Sequence, residues 1–562
     1  MKRTGAEIVI ESLKHHGVDL AFGYPGGTIM PVYDALYRDG FRHILARHEQ
    51  GACHAADGYA RATGRTGVVL ATSGPGATNL VTGLATAFMD SVPLVAVTGQ
   101  VATASIGTDA FQEADIYGIT IPITKYNYLV KDVARLAETF AEAFYLARSG
   151  RPGPVLIDIP KDVQLASAEY APVAQEDIPL LKYTPEPRYE FAAELDRVAA
   201  LLREAQRPVL LAGGGAVIAG ASEALRQLAR RASLPVASTL LGSGVFPRQD
   251  PLSLGMVGMH GTRYGNEAIA AADLLISAGA RFDDRVTGKL SEFAKGARIV
   301  HIDIDPAEVG KLLPTYLPVI GDLKQVLEGL VAKLELEPPA SRREWLGQIE
   351  AWKRDYPLAR ARSETALKPQ FVIETLSELT SGEAVVATGV GQHQMWTALY
   401  YEHKHPRHLI TSGGLGTMGF CLPAGIGAQL GRPDRLVVVV TGDGSFQMNI
   451  QELATAAFYR VPVKVIILNN GFLGMVRQWQ ELFFGGRYAA TDLEAGNPDF
   501  VMVARGFGVE AMRVDRPEQV RPALEKAFAH PGPVVVDCRV EKEENVYPMI
   551  PSGGTVKDTL GG

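Results

Sequence analysis

Two polar turns in the last third of the chain have the residue types and spacing of a site for a cation and a diphosphate. Residues 436–440 form a continuous apolar run, typical of a parallel strand buried on both faces, and the turn GDG follows at 442–444. A second apolar run over 463–468 ends at the pair NN, residues 469–470. Carboxylate and carboxamide oxygens suit Mg²⁺, which shares its coordination shell with phosphates. We therefore expect both ligands where these strands end.

The segment between the two turns must be the element that positions them. It has the spacing of a helix with one apolar face, formed by Ile450, Leu453, Ala454, Ala457 and Phe458. A right-handed crossover would place both strands in one parallel sheet, with Asp443 and Asn470 at its ligand-binding edge. Gly442 and Gly444 would let the backbone approach a diphosphate, and the helix N-terminus with Ser445 would offer donors to it.

Either turn alone is usually an ordinary turn, because GDG and NN are common turn sequences. Their combination, each directly after a buried strand, resembles the fingerprint of thiamine diphosphate (ThDP) enzymes, in which GDG is followed by NN.

Composition excludes several classes of protein. The 562 residues suggest about three or four domains, and 47% hydrophobic with 21% charged residues is ordinary for a globular protein. A net charge of −7 argues against nucleic acid as the main partner. Cys53, Cys421 and Cys538 are far apart and form no CxxC pair, which fits a reducing cytosol. The sequence shows no signal peptide and no apolar run long enough to span a membrane, so we expect a cytoplasmic protein.

Strand and helix signals alternate along the chain, which predicts an α/β protein with three doubly wound parallel-sheet domains. We place them at residues 1–174, 190–336 and 368–562. A proline-rich stretch over 171–188 is predicted to be an extended linker, and Pro338-Pro339-Ala340 with a charged helix over 342–362 forms the second connection.

Possible dinucleotide signals in the middle of the chain are weak. The glycine turn at 213–215 does not complete GxGxxG, because Ile218 stands where the last glycine would be. Asp303 and Asp305 follow a predicted strand and could accept hydrogen bonds from a ribose, although strand-end aspartates are often only caps.

Glu49 is a further candidate, at the start of a predicted helix of small residues. A glutamate there could simply complement the helix dipole, or it could lie against a ring nitrogen of a cofactor. The segments around it resemble the acetohydroxyacid synthase (acetolactate synthase) family of ThDP enzymes. They are YPGG at 24–27, RHEQGACHAADGYAR at 47–61, TSGPGATN at 72–79 and KDV at 161–163.

The resemblance continues through the other two thirds of the chain, in family order. The matching segments are GMVGMHG at 255–261, GARFDDRVTGK at 279–289, HIDIDPAEVGK at 301–311 and SGGLGTMGFCLPAGIGA at 412–428. The family usually has Gly where Cys421 stands, which we interpret as a tolerated packing change. The RFDDR element favours the biosynthetic, FAD-containing branch over the catabolic one, and the domains would bind the pyrimidine, FAD and the diphosphate in that order.

Active-site roles follow from the resemblance. The glutamate of RHEQ, here Glu49, would hydrogen-bond the aminopyrimidine ring of ThDP. Met418 would hold the cofactor bent, Arg281 would bind the carboxylate of the second substrate, and Trp479 would select that substrate. The complete set of residues implied for catalysis is Glu49, Gly27, Phe111, Gln112, Lys161, Arg281, Met418 and Trp479.

Each of these residues also has an ordinary interpretation. Phe111, Met418 and Trp479 could be core residues, and Lys161 a solvated surface charge. Arg281 could form a structural ion pair with Asp283 or Asp284.

Ligand sets follow in the same way. The residues implied for ThDP are Gly391, Gln392, His393, Gly416, Met418, Gly442, Asp443, Gly444, Ser445, Asn470 and Met475. The metal ligands implied for Mg²⁺ are Asp443, Asn470 and the backbone carbonyl of Phe472. The residues implied for FAD are Arg151, Gly213, Gly214, Gly215, Thr239, Leu240, Met259, His260, Gly261, Gly279, Arg281, Asp283, Asp303, Ile304 and Asp322.

The implied reaction decarboxylates pyruvate and ligates the remaining two-carbon unit to pyruvate or 2-oxobutanoate, the first common step of branched-chain amino acid biosynthesis. In the family the ThDP site lies between two subunits, so at least a dimer is expected, and a small regulatory subunit is plausible. The polar tail over 541–562 could fold over the site.

Rival interpretations remain within and outside the family. Pyruvate oxidase and glyoxylate carboligase would share the GDG–NN core, although a glyoxylate carboligase lacks a residue of the Glu49 type. A non-catalytic nucleotide-binding protein is disfavoured by the joint presence of Glu49, Asp443 and Asn470.

Overall fold

Three six-stranded parallel sheets organise the chain in the computed structural model, which describes residues 1–183, 189–334 and 341–561. Helices lie between most successive strands; the exceptions are residues 239–252, which contain only a 3-10 turn, and residues 304–316, which contain no helix. The predicted α/β fold with three parallel-sheet domains is confirmed. Most strands are short apolar runs buried on both faces, as a sheet covered by helices on both sides requires.

The first sheet has the strand order β3-β2-β4-β5-β7-β6, and β1 and β8 form a separate antiparallel sheet of two strands. The strands are β1 Lys2–Thr4, β2 Ala21–Gly23, β3 His43–Leu45, β4 Gly67–Ala71, β5 Leu94–Gln100, β6 Tyr126–Leu129, β7 Pro154–Pro160 and β8 Ser167–Glu169. The helices are α1 Gly5–His15, α2 Met30–Asp39, α3 Glu49–Thr63, α4 Pro75–Thr78, α5 Val81–Met89, α6 Ile116–Thr120, α7 Leu136–Arg148 and α8 Lys161–Leu165.

The second sheet has the order β11-β10-β9-β12-β13-β14. Its strands are β9 Pro208–Ala212, β10 Val236–Ser238, β11 Ser253–Met256, β12 Leu274–Ala278, β13 Arg298–Asp303 and β14 Leu317–Ile320. The helices of this part are α9 Pro179–Tyr183, α10 Ala192–Glu204, α11 Gly214–Ile218, α12 Ser222–Ala232, α13 Arg263–Ala271, α14 Asp284–Thr287, α15 Leu323–Lys333 and α16 Ser341–Asp355.

The third sheet has the order β16-β15-β17-β18-β20-β19. Its strands are β15 Val385–Thr388, β16 Leu409–Thr411, β17 Val437–Gly442, β18 Lys464–Asn469, β19 Glu510–Val514 and β20 Val534–Arg539. Its helices are α17 Pro369–Thr380, α18 Gln392–Tyr400, α19 Cys421–Gly431, α20 Asp443–Gln447, α21 Glu452–Phe458, α22 Gly474–Phe483, α23 Phe500–Gly506 and α24 Pro517–Ala529. The 3-10 turns are Thr103–Ser105, Ile121–Ile123, Val133–Arg135, Gln175–Asp177, Leu240–Gly242 and Val556–Asp558.

Two local expectations differ from the structure. The helix predicted between GDG and NN is two short helices, α20 and α21, and Phe458 is 70% exposed rather than packed against the core. The linker predicted as extended contains a 3-10 turn over Gln175–Asp177 and helix α9. The end of that linker, with Pro185 and Pro187, lies outside the described residues, as do Pro338-Pro339-Ala340.

Helices α3 and α19 join the first and third domains backbone to backbone. An added Cβ at Gly58 would lie 2.1 Å from the carbonyl oxygen of Ala424, and one at Gly427 would lie 1.8 Å from that of Ala55. Only glycine allows this approach, so the two helices are in close backbone contact. We call this contact the glycine joint.

Candidate active site at the domain edges

Asp443 has the environment of a cation ligand. It is 1% exposed, its Oδ2 accepts a 2.7 Å hydrogen bond from the side chain of Asn497, and its buried Oδ1 has no partner within the described residues. Burial raises the pKa of this carboxyl to about 6, because the charged form is poorly solvated. A buried carboxylate oxygen without a partner is costly, and a bound cation would satisfy it.

Asn470 lies on the turn that follows β18, the strand next to β17 and Asp443. Its Oδ1 accepts the backbone N–H of Phe472 at 3.1 Å, and its Nδ2 donates to Gln392 at 3.2 Å. The side-chain oxygens of Asp443 and Asn470 and the carbonyl of Phe472 are the hard-ligand type that Mg²⁺ prefers, so this donor set fits the ion.

Three of the residues expected at ThDP, His393, Gly442 and Ser445, pack together beside Asp443. Added Cβ atoms at Gly389 and Gly442 would lie within 3.0 Å of the His393 ring, and one at Gly389 would also lie 2.5 Å from the Oγ of Ser445. Burial lowers the pKa of His393 to about 3, so the ring is neutral, and its Nε2 has no partner in the described chain. The close backbone approach leaves room here only for small groups and a ligand.

Gln392 links this group to the end of the chain. Its Nε2 donates to Gln478 at 3.0 Å and to the carbonyl of Glu544 at 3.1 Å. Gln478 in turn exchanges hydrogen bonds with the backbone of Val546, at 2.9 and 3.0 Å. The tail is therefore folded onto α22, the helix that carries Met475 and Trp479.

Met418 is half-buried, and its methyl group would lie 3.8 Å from a Cβ added at Gly444. Gly416, two residues earlier, has a φ of +70°, which favours glycine. The loop before α19 thus brings Met418 to the GDG turn.

Glu49 begins α3 at a separate edge, that of the first sheet. Its side chain is 9% exposed and accepts a 2.9 Å hydrogen bond from Asn79, and an added Cβ at Gly76 would lie 3.3 Å from its Oε1. No hydrogen bond or ion pair in the described chain joins Glu49 to Asp443 or Asn470. The candidate residues therefore fall into two groups, one in each terminal domain, which we call half-sites.

Three other candidates of the first domain are exposed, and a fourth, Gln112, is half-buried. Gly27 is exposed with nothing within 4 Å of an added Cβ, Phe111 is 87% exposed, and Lys161 is exposed at the start of α8. Gln112 has a φ of +60°, and its backbone lies against Gly74, where an added Cβ would be 2.7 Å from the Gln112 carbonyl. An apolar side chain as exposed as Phe111 is unusual in a core residue, which argues against that interpretation.

All but one of the residues expected at FAD lie at one edge of the second sheet, directly after its strands. Gly213, Gly214 and Gly215 follow β9, Thr239 and Leu240 follow β10, Met259, His260 and Gly261 follow β11, Gly279, Arg281 and Asp283 follow β12, Asp303 and Ile304 are at the end of β13, and Asp322 follows β14. This is the edge where open parallel sheets bind ligands. His260 is buried, its pKa is lowered to about 4 by burial, and its Nδ1 has no described partner, which fits a bound polar ligand.

Four of the residues expected at FAD have contacts within the chain that sequence alone did not reveal. The exception to the edge, Arg151 of the first domain, donates to Glu308 at 2.7 Å and Asp305 at 3.3 Å, so it bridges to the second domain. Asp283 caps α14 by accepting N–H groups of Arg285 and Val286. The glycines at 213 and 215 also have a packing reason, because their added Cβ atoms would collide with the backbone of Gly279.

Sequence reasoning missed three residues of the site. Asn497 holds Asp443, Gln478 holds the tail, and Asn79 holds Glu49. Asn79 stands at the end of the quoted TSGPGATN segment, so that signal was available. The partners of Asn497 and Gln478 lie 54 and 68 residues away along the chain, beyond any local pattern.

In the described ranges no three His, Cys, Asp or Glu side chains form a cluster that could hold a metal ion, and every helix there is too short or too polar to cross a bilayer.

Three family models match the chain, one for each parallel sheet. Residues 3–119 match the family model for the N-terminal TPP (thiamine pyrophosphate, the same cofactor as ThDP) binding domain of thiamine pyrophosphate enzymes. Residues 195–330 match the central domain and 389–538 the C-terminal TPP binding domain.

Similar proteins cover almost the whole chain. The acetolactate synthase large subunit of Parasynechococcus marenigrum (strain WH8102) is 52% identical over 567 residues, which is 99% of this chain and 91% of that protein. Acetolactate synthase of Arthrospira platensis is 49% identical over 99% of this chain and 98% of its own. Acetolactate synthase 1, chloroplastic, of Zea mays is 49% identical over 99% and 89%.

Proposed function

The chain belongs to the acetolactate synthase family of thiamine diphosphate enzymes, and on that premise we propose that it converts two pyruvate ions and one proton into 2-acetolactate and CO₂. With 2-oxobutanoate as acceptor the product is 2-aceto-2-hydroxybutanoate. The single observation that carries the proposal is the pair of half-sites, with Glu49 at one and Asp443 with Asn470 at the other. When bound, ThDP supplies the electron sink that decarboxylation requires.

The domains that supply these residues are proposed to occupy residues 1–174, 190–336 and 368–562. The first would bind the pyrimidine, the second FAD and the third the diphosphate.

The residues of this chain would bind ThDP and Mg²⁺, orient the cofactor and hold a proton at its aminopyrimidine ring. Asp443 and Asn470, with the carbonyl of Phe472, would hold Mg²⁺ and through it the diphosphate, while His393 and Ser445 line the diphosphate site. Glu49 would hold a proton at the aminopyrimidine nitrogen. Its shielded position beside Asn79 keeps the carboxyl aimed at one place, which is the main contribution of a positioned acid–base group.

Substrate selection would rest on three exposed or half-buried groups. The Arg281 guanidinium would bind the carboxylate of the second keto acid, since its planar fork matches that anion. Trp479 packs edge-on against Phe483, with ring centroids 5.4 Å apart, and would contact the acceptor side chain. Gly27, Phe111, Gln112 and Lys161 would line the entrance.

FAD at the edge of the second sheet is part of the proposal. The line of strand ends and the unpartnered Nδ1 of His260 support it. We assign FAD no net redox role, because carboligation leaves no electrons over.

A dimer is the minimum active unit that we propose. Glu49 of one chain would meet Asp443 of another, which explains why no contact joins them within one chain. Mixing a Glu49→Gln protein with an Asp443→Asn protein tests this, because shared sites would regain activity on subunit exchange. A mixture as inactive as its components under conditions of proven exchange would contradict the shared site.

A regulatory partner and the cellular compartment are proposed from one observation each. The cyanobacterial relative is called a large subunit, which supports a smaller regulatory partner for this chain as well. Cys53, Cys421 and Cys538 are buried and unpaired, which supports a reducing cytosol as the compartment.

Product analysis decides the proposed function. Purified protein incubated with pyruvate, ThDP, Mg²⁺ and FAD should release 2-acetolactate and CO₂ in equal amounts without consuming oxygen. Asp443→Asn should abolish this, whereas Asp434→Asn, an exposed carboxylate bonded to Arg432, serves as the matched control and should not. Oxygen uptake with acetate formation would indicate a pyruvate oxidase instead.

A further inference from the structure

The loop that carries Gly416 and Met418 is fixed by a carboxylate of another domain. Asp90, the residue after α5, accepts the backbone N–H groups of Gly413 at 2.9 Å and Gly414 at 2.7 Å, one on each oxygen. Asp90 is only 6% exposed, so the two hydrogen bonds are partly buried although Gly414 itself is exposed. Hydrogen bonds to a charged acceptor are the strong ones, and a buried carboxylate holds its donors firmly.

A buried arginine holds Asp90 in turn. Arg61 of α3 donates to Asp90 at 3.0 Å, pairs with Asp57 one turn earlier, and donates to the carbonyl of Thr411 at 2.9 Å. Asp57 is fully buried, and the Arg61 side chain is 10% exposed. Removing one partner of such a network leaves a buried charge uncompensated, so its geometry is tightly determined.

The loop at Gly414, beside Asp90, also limits the space around Arg281. A Cβ added at Gly414 would lie 3.0 Å from both the Nη2 of Arg281 and the Oδ1 of Asp90. Farther along the loop, the hydroxyls of Thr86 and Thr417 are 2.7 Å apart and buried. The conformation of the loop 412–418 therefore determines both where Met418 lies and how much space Arg281 has.

We propose that Asp90, held by Arg61, is a positioning residue that fixes the loop 412–418 for cofactor binding and for acceptor binding. This inference rests on the proposed function, because Met418 and Arg281 have their roles through it. It assigns Asp90 no contact with the cofactor or the substrates.

Asp90→Asn is the principal test, with Asp19→Asn as the matched control. Asp19 also bonds an arginine and a tyrosine of the first domain, Arg65 and Tyr59, but touches nothing on the loop. In cofactor-free protein, amide hydrogen exchange at residues 413 and 414 should accelerate at least about tenfold in Asp90→Asn and remain unchanged in the control. The affinity for ThDP and the kcat/KM for 2-acetolactate should each fall about tenfold or more.

Two milder variants keep the test independent of folding. Thr86→Val removes only the hydroxyl that contacts Thr417 and should weaken ThDP binding severalfold. Gly414→Ala adds a methyl group against Arg281 and should raise the KM for 2-oxobutanoate more than it lowers kcat.

Several outcomes separate the two proposals. Unchanged exchange at 413 and 414 in Asp90→Asn, or accelerated exchange with ThDP affinity and kcat/KM within twofold of the parent, would overturn the positioning role. A parent protein that binds ThDP but makes no acetolactate would refute the proposed function, while the exchange and ThDP affinity measurements would still decide whether Asp90 fixes the loop.

Discussion

Replacing Gly427 by alanine should break the joint between the first and third domains. The new Cβ would start 1.8 Å from the Ala55 carbonyl oxygen and would have to move beyond the 3.0 Å that real Cβ contacts respect. Neither helix can retreat. The far side of α3 lies against Gly67 of β4, and that of α19 against Val439 of β17, where added Cβ atoms at Gly67 and Gly425 would lie 2.3 and 2.4 Å from their neighbours.

Because neither helix can move away, the substitution should lower the free energy of unfolding. Overpacking a core usually costs about 1–3 kcal/mol, and a rigid backbone contact belongs at the upper end, so we expect a loss of about 3 kcal/mol. Gly347→Ala is the matched control, since Gly347 is also in a helix, α16, and has nothing within 4 Å of its added Cβ. There alanine should stabilise, by up to about 1 kcal/mol, because it is the better helix former.

Urea unfolding of cofactor-free protein measures both variants, from the shift in midpoint at a common slope. Gly427→Ala should lower the urea midpoint, and Gly347→Ala should raise it. If Gly427→Ala unfolds at the midpoint of the parent, the helices are not in backbone contact and the joint does not exist as described.

Three other predictions concern the site. Glu49→Ala should slow exchange of the reactive ring proton of bound ThDP by about 10²-fold or more, and unchanged exchange by NMR would remove its assigned role. Because burial raises the pKa of Asp443 to about 6, its carboxylate is protonated as pH falls from 7 to 5, and Mg²⁺ affinity measured by calorimetry should weaken over that range. Equal affinities at both pH values would contradict this. Trp479→Leu should lower the preference for 2-oxobutanoate over pyruvate in a competition assay, with Trp352→Leu of helix α16 as the control; an unchanged product ratio would argue against acceptor contact.

Strands could be predicted from sequence because buried parallel strands are continuous apolar runs. The strands before Asp443 and Asn470 were expected at 436–440 and 463–468 and are found at Val437–Gly442 and Lys464–Asn469. The helix between them was predicted as one piece because its apolar spacing is regular. The chain interrupts it after Gln447, and the second helix, α21, buries Leu453 and Ala456 but leaves Phe458 exposed.

The polar network around the site could not be predicted in this way. Asp90 and Gly413 are separated by 323 residues along the chain, and Arg47 donates to Glu452 across 405. Neither pair leaves a periodic or local trace in one sequence, since each contact depends on how two domains meet. The GDG and NN turns could be proposed from one sequence because each is a short motif directly after a buried strand, whereas the roles of Glu49, Arg281, Met418 and Trp479 rest on the family resemblance and stay predictions.

The glycine joint between α3 and α19 also decides how reactants can enter. Because their backbones are in direct contact there, we do not expect the first and third domains of one chain to separate by a hinge motion when keto acids enter or product leaves. Within one chain, we therefore expect movement in segments that are held by a few reversible hydrogen bonds. One is the tail held by Gln478, and the other is the loop before Gln112, tied by Glu113 to the N–H of Ala110. Turnover in this protein should therefore be gated by peripheral segments, while the scaffold that carries Glu49 and Met418 stays in place.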